Sequence, residues 1–350
     1  MNRAILKKLS SMKVLMLSSD PRNSRLKRYA EVLEKLEIIG FERKDGRFAR
    51  FWKGYKKARE ILSRERFDLI TAQEIEHSFL AWLLSNKFKI PWQMQIHTDI
   101  FSPYYVRHSV SNRARVFLAK FLIPRTNCIR VVSERIRKSN FLKEVRLPIS
   151  VLPIYSKVKK EGGINLREKY PGYDLYILMV ARLAHEKNIN LALKTMTGVI
   201  KEIKALLVVV GEGPDRKNIE LEIGNLKFEN SIRLEGWQDN LSGYYSSADL
   251  LLITSNYEGY GLSAVEAISC GLPVIMTDVG VAGEIIKNGI NGLIVSVGSG
   301  YILSVEILKF FKDADLRLKL KEGAKNTKLP YTSFEDYRDK LVNSWLICKK

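Results

Sequence analysis

Short apolar runs recur along the chain, separated by stretches in which apolar residues return every third or fourth position. In the first half the runs are VLML (14–17), DLITA (68–72), PWQMQIH (91–97), CIRVVS (128–133) and ISVLP (149–153). In the second half they are LYILMVA (175–181), ALLVVVG (205–211), SIRLEG (231–236), DLLLITS (249–255), PVIMTD (273–278) and GLIVSV (292–297). Strands covered on both faces have this short, near-continuous apolar character, so the pattern predicts parallel sheets. Helical spacing falls between the runs, near 25–36, 78–87 and 241–247 and from about 188, 214 and 262. Two such sets predict an α/β architecture of two Rossmann-like, doubly wound domains. A final amphipathic stretch over 333–348 sets Phe334, Tyr337, Leu341 and Trp345 on one helix face.

The division follows from composition. Residues 1–156 form the expected amino-terminal domain and 172–330 the carboxy-terminal one. The polar stretch 157–171, with Lys157, Lys159, Lys160, Glu161, Gly162 and Gly163, reads as a linker. Residues 331–350 form a helix that could pack back toward the amino-terminal domain. No repeat of 20–50 residues is visible.

The 350 residues are 46% hydrophobic and 27% charged, which excludes a disordered or fibrous chain. No apolar run is long enough for a membrane span, and the start lacks the apolar core of a signal peptide. Cys128, Cys270 and Cys348 are too widely spaced for a disulfide framework or a zinc pattern and point to a reducing compartment. Charge changes the picture more. The net charge is +20, and residues 1–170 hold 37 basic against 16 acidic side chains. The excess therefore sits in the first half, which suggests that this half meets a polyanion, either nucleic acid or anionic lipid. It is densest at 43–59, RKDGRFARFWKGYKKAR, where Phe48, Phe51, Trp52 and Tyr55 interleave with Arg and Lys. At helical spacing these aromatics share a face, which suits an interfacial helix on an anionic leaflet. A second stretch, RARVFLAKFLIPR at 113–125, is similar, and for it a core-facing stripe is the favoured reading.

Candidate chemistry concentrates at 258–284, EGYGLSAVEAISCGLPVIMTDVGVAGE. This stretch leaves a strand, passes Gly259, Tyr260, Gly261 and Leu262, and enters a helix. Such a turn lets backbone amides approach a phosphate, and the helix start favours negative charge. Glu258 lies on the turn and Glu266 within the helix. That placement suits the two ends of a nucleotide-sugar better than a paired attack on one bond. The plain alternatives are a capping group for Glu258 and a solvated helix residue for Glu266. Arg182 and Lys187 follow the first strand of the second half, where two cations suit a pyrophosphate; exposed surface charge is the alternative. Gly211 and Gly213 end the next strand, either near the same ligand or as a tight turn.

Together these residues resemble the retaining glycosyltransferases of family 4, which have the GT-B fold. The resemblance runs through ILMVARLAHEKN, VVVGEGP, IRLEGW, YYSSADLLLITSNYEGYGLSAVEAISCGLPVIMTDVG and NGINGLIV, nearly all of 176–297. The first half matches more loosely, with His97 at a strand end where the family commonly has a functional histidine. Some positions depart from the family pattern. The first loop reads SSDPRNS in place of a glycine pair, Ala181-Arg182 stands for Gly-Arg, and Ile154-Tyr155-Ser156-Lys157 replaces the usual boundary motif. The resemblance implies two domains facing across a cleft that closes on its ligands. It implies sugar transfer from a nucleotide-sugar to an acceptor hydroxyl, without a cofactor or metal. Arg182, Lys187 and the helix start after Gly261 would hold the diphosphate. Glu258 would position the donor sugar, Glu266 the ribose, and His97 the sugar or acceptor. The expected acceptor is a lipid-linked or cell-envelope glycan, reached from the inner face of a membrane by a cytoplasmic, peripheral enzyme. The sole D-x-D, Asp313-Ala314-Asp315, reads as surface. Another GT-B enzyme, such as an epimerase or phosphorylase, is the first alternative. A nucleic-acid-binding protein is the second, although no zinc finger, RNP-type run or basic heptad region is present.

Overall fold

The computed structural model describes residues 7–18, 24–41, 46–158 and 162–349. Two compact units divide the chain: Met1–Tyr155 with Tyr331–Lys350, and Ser156–Pro330. Each is built on a six-stranded sheet.

In the first unit the strands are β1 (Lys13–Ser18), β2 (Lys35–Gly40), β3 (Leu69–Gln73), β4 (Trp92–Ile96), β5 (Cys128–Val131) and β6 (Ile149–Val151). Their order is β2-β1-β3-β4-β5-β6 and every pairing is parallel. The second unit holds β7 (Leu175–Val180), β8 (Ala205–Val210), β9 (Ile232–Gly236), β10 (Leu250–Ile253), β11 (Val274–Thr277) and β12 (Gly292–Val295). Their order is β12-β11-β10-β7-β8-β9, again all parallel. The interior strands are buried along nearly their whole length, which is why their sequences are continuously apolar. Helices of eight residues or more are labelled α1 (Arg47–Arg64), α2 (Ile75–Phe88), α3 (Val110–Leu122), α4 (Ile189–Val199), α5 (Arg216–Asn225), α6 (Leu262–Ser269), α7 (Gly300–Lys312), α8 (Ala314–Asn326) and α9 (Phe334–Ile347).

The structure corrects the sequence reading at several places. The helix expected over 25–36 ends at Tyr29, and Lys35–Gly40 is an edge strand running beside β1. Only one of its residues is fully buried, so the chain there lacks the apolar run that marks the interior strands. Helix α7 was not anticipated; its Leu303, Ile307 and Phe310 carry a helical stripe into the core of the second unit. The expected linker 157–171 is not a free connection. It contains the short helix Leu166–Lys169, with Leu166 buried, and Arg167 makes two hydrogen bonds to Asp249 at 2.7 and 2.8 Å. Its Lys159, Lys160 and Glu161 lie outside the described residues, as does most of the SSDPRNS loop.

Helix α9 buries Phe334, Tyr337, Leu341, Val342 and Trp345 in the same core as Val14, Met16 and Leu69 of the first unit. Near its end Cys348 meets Cys128 of β5, with Cα atoms 5.1 Å apart, a separation a disulfide can span. Spacing alone suggested no pairing among the cysteines, but the fold closes a separation of 220 residues that sequence spacing does not reveal. Gly54, Ala58 and Leu62 form the buried stripe of α1, whereas Trp52 is 45% exposed among exposed Lys53, Lys56 and Lys57. In α3 the buried face is Asn112, Val116, Ala119 and Leu122, and Phe117 is 77% exposed rather than core-facing.

Candidate active site

The chain builds the second sheet outward from β7 to β8 and β9, then returns to the other side of β7 for β10, β11 and β12. The strand order therefore reverses between β7 and β10, and open α/β sheets bind ligands beyond the carboxyl ends of strands at such a reversal. Arg182 and Lys187 lie in the segment that leaves β7; Glu258, Gly259, Tyr260 and Gly261 lie in the segment that leaves β10.

Hydrogen bonds sew these two segments together. The Thr254 hydroxyl lies 3.0 Å from the carbonyls of both Lys187 and Asn188, and the Asn256 N–H donates to the Glu186 carbonyl at 2.8 Å. The Lys187 ammonium pairs with the Glu258 carboxylate, and the Ser255 hydroxyl donates to the same oxygen at 2.8 Å. Both partners of the ion pair are largely screened from solvent. Arg182 is exposed and pairs with Glu186 one turn along.

Glu266 sits on α6, whose amino terminus is Gly261 at φ +86°. Only glycine adopts that conformation without strain. One Glu266 oxygen accepts from the Ser156 hydroxyl at 2.6 Å and the other from the Tyr245 hydroxyl at 2.9 Å. The carboxylate is thus oriented before any ligand arrives. Glu266 is held in the structure rather than free on a helix surface.

Other expected residues play different parts. The Tyr260 ring is buried, so only its backbone is available to a ligand; its carbonyl accepts from the Val281 N–H at 2.9 Å. Leu262 is half-buried at the start of α6. Gly211 and Gly213 serve a close approach of backbones: a Cβ would lie 2.0 Å from the Ala181 carbonyl oxygen at the first and 2.2 Å from that of Leu183 at the second. They bring the segments after β7 and β8 together. Asp313 caps α8, its carboxylate accepting from the Leu316 N–H at 2.9 Å, consistent with a surface role for the D-x-D.

His97 belongs to the first unit, just past β4. Its Nε2 lies 3.1 Å from Gln95 Oε1 and 3.3 Å from the Arg130 guanidinium. Burial, and secondarily the Arg130 charge, push its pKa down to about 3, so the ring is neutral at physiological pH. Arg130 itself is 2% exposed. It donates to Gln95 Oε1 at 2.7 Å, the Leu152 carbonyl at 3.2 Å and the Tyr337 hydroxyl at 3.1 Å.

Two family models match, glycosyl transferases group 1 over residues 166–327 and a glycosyl transferase 4-like domain over 12–143. Each half of the chain thus matches a glycosyl transferase family model. Among curated relatives of this chain is N-acetyl-alpha-D-glucosaminyl L-malate synthase of Bacillus anthracis, 28% identical over 54% of this chain and 47% of that protein. Another is alpha-monoglucosyldiacylglycerol synthase of Streptococcus pneumoniae, 28% identical over 67% of this chain and 57% of that protein. The chain thus spans about half the length of these relatives. Anabaena HepE, solved with UDP and glucose, aligns with a TM-score of 0.69 at 20% identity over 90% of this chain and 94% of its own. Together with the two parallel sheets, this likeness establishes the GT-B fold.

Ser156, Tyr245, Ser255 and Arg130 were missed as members of these arrangements. For the first three no local signal exists, since an isolated hydroxyl is uninformative. Arg130 left one: an arginine inside the apolar run CIRVVS has to find buried partners.

Proposed function

We propose that this transferase moves a sugar from a UDP- or GDP-sugar to an acceptor hydroxyl with retention of anomeric configuration. The reading rests on the Lys187–Glu258 pair at the strand-order reversal, beside the glycine-opened start of α6. A lysine already set among hydrogen bonds can receive the charge that develops on a leaving diphosphate without rearranging its surroundings. Arg182 is the second cation, and the N-terminal amides of α6 add a favourable dipole. Glu258 positions the donor sugar and Glu266 the ribose. As the bond from the anomeric carbon to the phosphate oxygen breaks, the acceptor oxygen bonds to that carbon, and its proton passes to the departing phosphate. His97, neutral, donates or accepts a hydrogen bond to sugar or acceptor. No metal is required in this scheme, because the protein's own cations face the diphosphate.

The acceptor we propose is a lipid-linked or cell-envelope glycan, met at the cytoplasmic face of an anionic membrane by a peripherally bound enzyme. The basic surface of α1 with exposed Trp52, and Phe117 on α3, support this reading. So does the diacylglycerol in the name of the pneumococcal relative. No described helix is long and apolar enough to cross a membrane.

A panel of UDP-, GDP- and ADP-sugars, read by thermal shift and slow hydrolysis with and without excess EDTA, tests the proposal. One nucleotide-sugar should stabilise the protein and be hydrolysed equally in EDTA. Stabilisation by DNA or RNA alone would favour the polyanion alternative, and metal-reversible loss of activity would remove the metal-free scheme.

A further inference from the structure

A line of buried polar side chains crosses the first sheet and ends at His97. It begins on α9 with Trp345, whose indole N–H donates to Gln93 Oε1 at 3.1 Å. Indole nitrogen can only donate, so the Gln93 oxygen must face it, and the Gln93 amide nitrogen turns to the Ser344 hydroxyl at 3.2 Å. The Thr71 hydroxyl donates to the same Gln93 oxygen at 3.1 Å, which leaves the Thr71 oxygen to accept from Gln95 Nε2 at 2.6 Å. That in turn aims the Gln95 oxygen at Arg130 and His97. Thr71, Gln93, Gln95 and Ser344 are all buried. Every hydrogen-bond direction along the line is therefore fixed from α9 outward.

Arg130 closes the line. A guanidinium this deeply buried loses much of its hydration, and among the described residues it has no carboxylate partner. Its contacts are neutral acceptors: the Gln95 oxygen, the Leu152 carbonyl, the Tyr337 hydroxyl and the imidazole of His97. Retaining an uncompensated charge here is costly, and stability alone offers no reason for it. Arg130 Nη1 has two hydrogens and can only donate. One serves Gln95; the other faces His97 Nε2. The attraction of a cation for that lone pair outweighs a neutral Nε2–H to an amide oxygen already engaged.

We propose that Arg130 is a positioning residue for His97. By donating to Nε2 it holds the imidazole as the neutral tautomer carrying its hydrogen on Nδ1; the Gln95 oxygen, which can only accept, takes the other Nη1 hydrogen and so orients the guanidinium, and the line to Trp345 and Tyr337 anchors that state in α9. The carboxy-terminal helix thereby becomes part of the histidine's setting. The inference rests on the reading of His97 given above. The charged group beside the ring is Arg130; beyond the guanidinium stand the titratable phenols of Tyr331 and Tyr337.

The test is nitrogen NMR of the full chain labelled at histidine, with His97 assigned by loss of its signals in His97→Ala. The native protein should show a proton-bearing Nδ1 and a bare Nε2. In Arg130→Gln and in Tyr337→Phe the two tautomers should mix and the ring should titrate at higher pH than in the native protein. Turnover should fall, by about tenfold in Arg130→Gln, with the donor Michaelis constant little changed. Tyr337→Phe removes one hydroxyl and carries the test if Arg130→Gln does not fold. A native His97 protonated on Nε2, or an unchanged tautomer in Tyr337→Phe, overturns the proposal. Unchanged turnover in His97→Ala would overturn the reading beneath it instead, and the tautomer is measured independently of that outcome.

Discussion

The two carboxylates of the candidate site are held differently, and their substitutions should separate. Glu258 shares its charge with Lys187, so Glu258→Gln leaves a screened lysine without its anion and, in the proposed scheme, removes a contact to the reacting sugar. We expect turnover to fall most. Glu266 is braced by Ser156 and Tyr245 and touches the ribose in this scheme; Glu266→Gln should mainly raise the donor Michaelis constant. Identical steady-state profiles for the two variants would argue against split roles. His97 gives a pH prediction. Its folded pKa is depressed to about 3, below the ordinary value of 6.5, so the unfolded chain binds a proton that the folded chain refuses. Its contribution to stability is complete above pH 6.5 and is lost as the pH falls toward 3. His97→Ala should lower turnover with the fold intact, and urea titrations from pH 7 to 4 should show a shallower acid loss than in the native protein. The acid limb of the native turnover profile should contain no ionisation from this histidine near neutrality. Glu258, Glu266, Lys187 and His97 could be picked out as candidates in the sequence because each interrupts a local pattern. Ser156 and Tyr337 were not, because their partners lie 110 and 207 residues away and only the folded backbone joins them.

At the scale of elements, the glycines divide by what a side chain would meet. Gly211→Ala would set a Cβ 2.0 Å from a carbonyl oxygen of the neighbouring segment, and backbone cannot step aside cheaply. This variant should be severely destabilised in thermal melts, as should Gly213→Ala. At Gly261 a Cβ would meet only a Val281 methyl at 3.9 Å, so the cost is that of the positive φ alone. We expect Gly261→Ala to lose about 1 kcal/mol of stability, yet to weaken donor binding because the start of α6 shifts. Equal melting losses for Gly211→Ala and Gly261→Ala would contradict this division. Interior strands were readable because burial on both faces leaves no choice of residue. The edge strand β2 was not, since half its surface meets solvent and Lys35 and Glu37 dilute the signal. Helix α7 shows a different limit: its stripe is regular, but no motif draws attention to it.

For the whole molecule, the +20 charge and its concentration before residue 171 remain the features most in need of a partner. Sedimentation with vesicles should show binding to anionic lipid that weakens as salt rises, and little binding to neutral lipid. Trp52→Ala and Phe117→Ser should each reduce that binding while leaving hydrolysis of a soluble donor unchanged. Equal binding to both lipids, or to neither, would leave a different polyanion to account for the charge. Helix α9 carries a consequence of another kind. Its residues complete the core that Val14 and Met16 begin, yet all of 156–330 is synthesised between them. A growing chain therefore has everything needed to fold its second unit while the first still waits for its closing segment. At about 5–20 residues per second the amino-terminal sheet stays incomplete for tens of seconds after its last strand is made. The first unit can thus be completed only after the second has been made, and the open interval is when a chaperone would find the first unit's apolar face uncovered.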